Sequence, residues 1–229
     1  MNALPSSGTQ GMSARSEDVP TIAPRSPPPG RTIRELVVFL GGAGDVDEEF
    51  RLAYDGVDFL NRAVLPRLRI RLSLVTGAVD APAGAGRPQS RINPCVDTCD
   101  LASFAIYRRH GTPTGTHDSG TEEEFDRAVR RWQTTGRPEI LVFLRRLRAV
   151  DLADQSEQAA RSRAFRERIH ARGLALTVAY KNSEEFQRKF MEQLMQWTWG
   201  VYDGLSGGGS AQRQRMPPRR REPAGASGP

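Results

Sequence analysis

The chain has 229 residues, 33 of them basic and 27 acidic, for a formal charge of +6, which leaves room for one domain with extensions. Two cysteines are too few for a disulfide scaffold, and no apolar run approaches the roughly 18 residues of a membrane span or forms a signal-peptide core. Half of the positive excess sits in the last 27 residues, where five arginines without interleaved aromatics face Asp203 and Glu222. A solvated tail is therefore expected there, with no membrane contact, no nucleic-acid partner and a cytoplasmic location.

Residues 1–31 are rich in Ser, Pro, Gly and Arg, and residues 203–229 in Gly, Pro and Arg. Neither segment carries enough apolar surface to offset its ordering entropy, so both read as disordered tails around a domain at 32–202. Within that domain Leu36–Leu40 is a short apolar run stopped by Gly41-Gly42-Ala43-Gly44, as a buried parallel strand would be. Asp45 to Glu49 suit a helix start, and Phe50, Ala53, Tyr54, Val57, Leu60, Asn61 and Val64 continue at helical spacing until Pro66. Leu68, Ile70, Leu72 and Leu74 alternate with polar residues, which predicts a second strand at a sheet edge.

Residues 77–90 read as a Gly, Ala and Pro-rich loop, and 93–98 as a helical turn or two holding Cys95 and, just beyond, Cys99. Leu101–Tyr107 is a third strand, Thr121 to about Thr134 a helix, and Ile140–Leu144 a fourth strand. A polar helix over 154–171 ends at Gly173, residues 174–180 form a fifth strand, and a last helix opens at Ser183. Trp132, Trp197 and Trp199 fall at helical packing positions, and Asp100, at the entrance of strand three, suits a structural hydrogen bond. Five strands alternating with helices predict an α/β fold, a flavodoxin-like doubly wound parallel sheet of order 2-1-3-4-5. In that order the Gly41–Asp45 turn and the loop after strand three meet at the sheet's carboxyl end, where such folds bind ligands.

That loop runs His110-Gly-Thr-Pro-Thr-Gly-Thr-His-Asp-Ser-Gly-Thr121 and then Glu122-Glu123-Glu124-Phe125. Thr121-x-x-Glu124 matches a capping box, with Ser119-x-x-Glu122 offering the same pairing two residues earlier, so the run is also explicable as a helix cap alone. His110, His117 and His170 lack metal-ligand spacing and read as loop surface positions, so no metal is expected. No G-x-S-x-G or P-loop pattern occurs.

Tyr107-Arg108-Arg109-His110-Gly111-Thr112-Pro113-Thr114-Gly115, followed by Ser119-Gly120-Thr121-Glu122-Glu123-Glu124-Phe125, resembles the "R-x-GTPTG…SGTEEEF" signature of TIR-like effector domains, relatives of the DUF4062 group. Gly44-Asp45-Val46, Pro88-Gln89-x-x-Ile92-Asn93, Cys99-Asp100 and Ser183-Glu184-Glu185-Phe186 agree in order with the same pattern, so the likeness spans about 34–200. It is similar to the wider superfamily of nucleoside deoxyribosyltransferases and TIR domains, and that implies cleavage of an N-glycosidic bond, with NAD or a related nucleotide as substrate and no cofactor. Matched to the transferases' "SGT-x-x-E", Glu124 is the implied catalytic carboxylate. Gly41, Gly42, Asp45, Asp118, Ser119 and Thr121 are the implied substrate-binding positions.

A role in bacterial defence or signalling, self-association and a separately encoded sensor or regulatory partner are further implications. The alternative is a non-catalytic interaction module. It draws support from Gly41 and Gly42, which stand where the relatives usually carry serines.

Overall fold

The computed structural model describes residues 32–77, 79–80, 86–173 and 175–206. The expected tail 1–31, most of the expected tail 203–229 and part of the expected loop 77–90 lie outside the described residues. Among the described residues there are five strands: β1 (Arg34–Gly42), β2 (Ile70–Thr76), β3 (Leu101–Ile106), β4 (Glu139–Arg145) and β5 (Leu176–Tyr180). They pair in parallel in the order β2-β1-β3-β4-β5, the flavodoxin-like order expected. The helices are α1 (Asp47–Ala63), α2 (Gln89–Thr98), α3 (Gly120–Thr135), α4 (Ala149–Ala153), α5 (Glu157–Arg172) and α6 (Ser183–Ser206).

The central strands are apolar on both sides because helices cover both faces. Leu36, Val38 and Leu40 of β1 pack with Val57 and Leu60 of α1 and with Phe186, Phe190 and Leu194 of α6. Phe39, turned the other way, joins Phe104 of β3, Val96 of α2, Phe125 and Val129 of α3, and Phe165 and Ile169 of α5. Phe104 meets Phe39 and Phe125 edge-on, which ties α3 to the strands beneath the candidate site. Asp100 accepts from the Val37 amide at 2.9 Å, the structural bond expected of it.

Several boundaries differ from expectation for local reasons. A 3-10 turn at Leu65–Leu68, with Pro66 near its start, and Arg69 in the left-handed region at φ 54° delay the second strand to Ile70. The second helix starts at Gln89 rather than Asn93, which puts Gln89 and Asn93 one turn apart on a buried face. The last helix continues to Ser206, beyond the boundary drawn at residue 202. Trp199, expected to be core, is 45% exposed. Among the described residues no helix is long and apolar enough to cross a membrane.

Among the described residues strand β2 has a sheet neighbour on one side only. Asn61 of α1 satisfies part of its backbone, donating to the Leu72 carbonyl at 2.8 Å and accepting from the Leu72 amide at 2.9 Å. Asn61→Ala leaves both groups without these partners and is expected to cost about 1–3 kcal/mol in urea unfolding. A loss below about 0.5 kcal/mol would show that water replaces the amide.

Candidate active site

Strands β1 and β3 pair side by side, with Gly41 opposite Phe104 and Gly42 opposite Ala105. The chain leaves them in opposite directions along the sheet, so the turn after β1 and the loop after β3 face each other at the carboxyl edge. Asp45 ties the two together: its Oδ2 accepts from the amides of Arg108 at 3.0 Å and Arg109 at 2.8 Å. Gln158 of α5 holds the next step, accepting from the His110 and Gly111 amides and donating to the Gly111 carbonyl. Gly111 takes φ +98°, a conformation that side chains other than glycine rarely adopt.

Ser119 caps α3. Its backbone is extended and its Oγ accepts from the Glu122 amide at 3.1 Å. The Thr121-x-x-Glu124 capping box does not form, because α3 begins at Gly120 and places Thr121 and Glu124 inside it. Of the alternative Ser119-x-x-Glu122 box only the serine half is made, since the Glu122 carboxylate is engaged elsewhere.

Successive helix residues turn by about 100°, so Glu122, Glu123 and Glu124 point three ways. Glu122 meets His110 Nε2 at 3.1 Å with one oxygen and Arg168 at 2.6 Å with the other. Glu123 accepts from Asn93 at 2.9 Å, Thr114 at 2.6 Å and Thr116 at 3.0 Å, and pairs with Arg87. Burial would raise the Glu123 carboxyl, but those three hydrogen bonds and the Arg87 charge outweigh it and hold the group below its ordinary range. Glu124 turns inward over the end of β1, where Gln89 Nε2 donates to its Oε1 at 3.0 Å.

Glycines leave room for that placement. A methyl group added at Gly41 would lie 2.7 Å from Glu124 Oε2, and one added at Gly120 would lie 2.8 Å from Gln89 Oε1. Burial pushes the Glu124 carboxyl up to about 7; the Gln89 hydrogen bond opposes the rise and the Glu123 charge adds to it. Four carboxylate residues are buried among the described residues: Glu49, Glu123, Glu124 and Asp151. Glu49 pairs with Arg145, Glu123 with Arg87 and Asp151 with Arg148. Glu124 has no cationic partner among the described residues, and it faces a cleft of about 300 Å³.

The structure brings Glu124, Gly41, Gly42 and Thr121 together in the lining of that cleft. It does not bring the other three expected positions there. The Ser119 hydroxyl is buried as the helix cap, and Asp45 Oδ2 is occupied by loop amides. Asp118 is exposed and faces Arg161 at 3.8 Å, beside a separate cavity. His110, expected on the surface, is 4% exposed because Phe165 packs edge-on against its ring. His170, expected in a loop, lies on α5. Gln89, Ile92 and Thr112 line the cleft without having been assigned a role. The spacing of Gln89 and Asn93 puts them on one helix face, but only the packing of α2 against α3 shows that this face meets Glu123 and Glu124.

The model for a family described as "Domain of unknown function (DUF4062)" matches residues 62–195, more than half of the chain. The chain belongs to the DUF4062 family. No curated protein matches it. Among solved structures this DUF4062 chain is similar to the Clostridium botulinum CMP N-glycosidase BcmB, with 15% identity over 67% of this chain and 96% of that one and a TM-score of 0.37. It is also similar to a de novo designed Rossmann 2x3 protein (12% identity, 79% and 96% covered, TM-score 0.34). A flavodoxin, WrbA-like protein from Agrobacterium tumefaciens is a third (11% identity, 73% and 97% covered, TM-score 0.32). The strand order and parallel pairing carry the fold assignment by themselves.

The raised Glu124 carboxyl links stability to pH. The folded state keeps this proton up to about pH 7, whereas the unfolded chain releases it near 4.5, so stability falls as pH rises through that window. Glu124→Gln removes the effect. It is expected to match wild type near pH 4.5 and to exceed it by about 3 kcal/mol above pH 8 in urea unfolding. An equal difference at both pH values would refute burial of the charge as the cause.

Proposed function

We propose that this DUF4062 protein cleaves the N-glycosidic bond of a nucleotide or nucleoside, NAD among the candidates, with Glu124 as the reacting carboxylate. One observation carries the reading: among the described residues Glu124 alone of the buried carboxylates lacks a cation, and it opens onto the cleft at the sheet's carboxyl edge. An isolated buried carboxylate is costly, and a purely structural one is better served by an arginine, as at Glu49, Glu123 and Asp151. The resemblance of Ser119–Glu124 to the "SGT-x-x-E" helix start of nucleoside deoxyribosyltransferases selects the same residue.

The chemistry suits that position. As the C1′–N bond breaks, its electron pair leaves with the base and positive charge builds on C1′ and the ring oxygen. The ionised Glu124 carboxylate stabilises that charge or bonds to C1′; water then supplies the new C1′–O bond and gives up a proton. In the low dielectric of the cleft floor an uncompensated carboxylate acts at greater strength than a solvated one. Thr121 lines the same cleft and can bind a ribose hydroxyl, while the Gly41–Gly44 turn, ahead of α1, offers backbone amides to a phosphate. The glycine at 41 does not argue against catalysis, since a side chain there would push the Glu124 carboxylate tip from its place. A non-catalytic module leaves the unpaired burial of Glu124 unexplained. An effector role in bacterial defence or signalling, self-association and a separately encoded partner belong to the same proposal.

The test incubates the full chain with NAD, nucleoside monophosphates and nucleosides, alone and under forced oligomerisation, and follows free base by chromatography. Wild type is expected to release base, with a loss of about a thousandfold or more in Glu124→Gln. Gly41→Ser is expected to lose activity while remaining folded by circular dichroism, because its side chain displaces the carboxylate. Release by Glu124→Gln at the wild-type rate, or none by wild type in either format, overturns the proposal.

A further inference from the structure

Apart from the cleft, a smaller cavity of about 160 Å³ is lined by His110, Asp118, Glu122, Arg161, Phe165 and Arg168. One donor atom from each of His110, Asp118 and Glu122 lies within 4.8 Å of the other two. His110 Nε2 and Glu122 Oε2 are 3.1 Å apart. Bonds of about 2.0–2.2 Å to a common ion separate two donors by roughly 3–3.5 Å, so this pair needs almost no movement to share one.

Both side chains are fixed from behind. His110 has a side chain 3% exposed, its ring rests on Phe165 and its amide is held by Gln158. Its Nδ1, which is not the nitrogen that faces Glu122, has no hydrogen-bond partner among the described residues. Glu122 is anchored through Oε1 by Arg168 at 2.6 Å, which aims Oε2 at the imidazole. Asp118 is the adjustable member, its side chain 69% exposed and its nearest cation, Arg161, 3.8 Å away.

We propose that His110 Nε2, Glu122 Oε2 and an Asp118 oxygen form a site for a divalent first-row metal ion. One imidazole and two carboxylates suit zinc with water completing the shell, and they suit calcium or magnesium poorly. Arg161 and Arg168 are the groups that oppose the ion. Arg168 keeps its bond to the other oxygen of Glu122, and the looser Arg161 gives way as Asp118 swings in. The site is positional. His110 and Asp118 lie at the two ends of the loop that brings Gly111 and Thr112 to the cleft wall, so one ion staples both ends to α3. It stands independently of the role given to Glu124.

Calorimetric titration of the full chain with Zn²⁺, beside a Co²⁺ absorption spectrum, tests it. All three histidines and both cysteines of the chain lie among the described residues, so competing donors are few. One ion per chain is expected, with a nitrogen and oxygen donor spectrum that lacks a sulfur charge-transfer band. Affinity is expected to fall about tenfold or more in His110→Gln and in Asp118→Asn, the latter at an exposed position that leaves folding intact. Cys95→Ser and His170→Gln are expected to bind as wild type does. No saturable binding by wild type, binding that survives both His110→Gln and Asp118→Asn, or binding lost in either comparator overturns the proposal.

Discussion

The first turn of α3 is the constraint on which the rest of this molecule depends. Three consecutive glutamates there serve three different surroundings, because a helix separates neighbours by about 100°. Glu122 secures the root of the β3–α3 loop through His110, and Glu123 secures its middle through Thr114 and Thr116 while also holding Asn93 of α2. With the loop and α2 both fastened to that turn, Glu124 is left to face the space between them. Arg168 and Arg87 compensate the first two carboxylates. Among the described residues no cation compensates the third, so burial outweighs the Gln89 hydrogen bond and moves its carboxyl to about 7.

The sheet supports this turn by what it omits as much as by what it supplies. Gly41 closes β1 without a side chain where Glu124 Oε2 lies, and Gly120 opens α3 without one where Gln89 passes. Gly42 is similarly constrained, since an added methyl would lie 2.7 Å from both the Ala105 carbonyl and Val46. Asp45 then joins the turn after β1 to the first amides after β3. The doubly wound order brings these two segments to one place, and the missing side chains let them approach closely enough to enclose a carboxylate.

The architecture was legible in the sequence because each strand is a short apolar run bounded by Gly, Pro or charge, and such runs alternate with helical stripes. Details that depend on partners far along the chain were not. His110 reads as a loop residue until Phe165, on α5, covers it. Gln89 lies 35 residues from the carboxylate it holds, and nothing local to α2 announces that contact. The cap was ambiguous for a different reason. Ser119-x-x-Glu122 and Thr121-x-x-Glu124 carry the same pattern two residues out of phase, and that phase decides which glutamate faces inward. Ser119 as cap turns Glu124 to the cleft, whereas Thr121 as cap would have spent Glu124 on its own helix end.

The glycines that replace serines at the end of β1 acquire a definite meaning in this geometry. Judged as missing hydroxyls, they subtract polar contacts from the turn and favour a domain that only binds. Judged as missing Cβ atoms, the one at 41 leaves the space that Glu124 Oε2 occupies, because a methyl there would sit 2.7 Å from it and move the carboxylate tip. The two judgements are not equal in weight. A lost hydroxyl contact forfeits on the order of 1 kcal/mol and can be replaced by another donor, such as Thr121 in the same cleft. A buried carboxylate without a paired cation costs several kcal/mol. The larger cost is the more informative, and among the described residues it is incurred at the one buried carboxylate that opens onto the cleft where β1 and β3 meet.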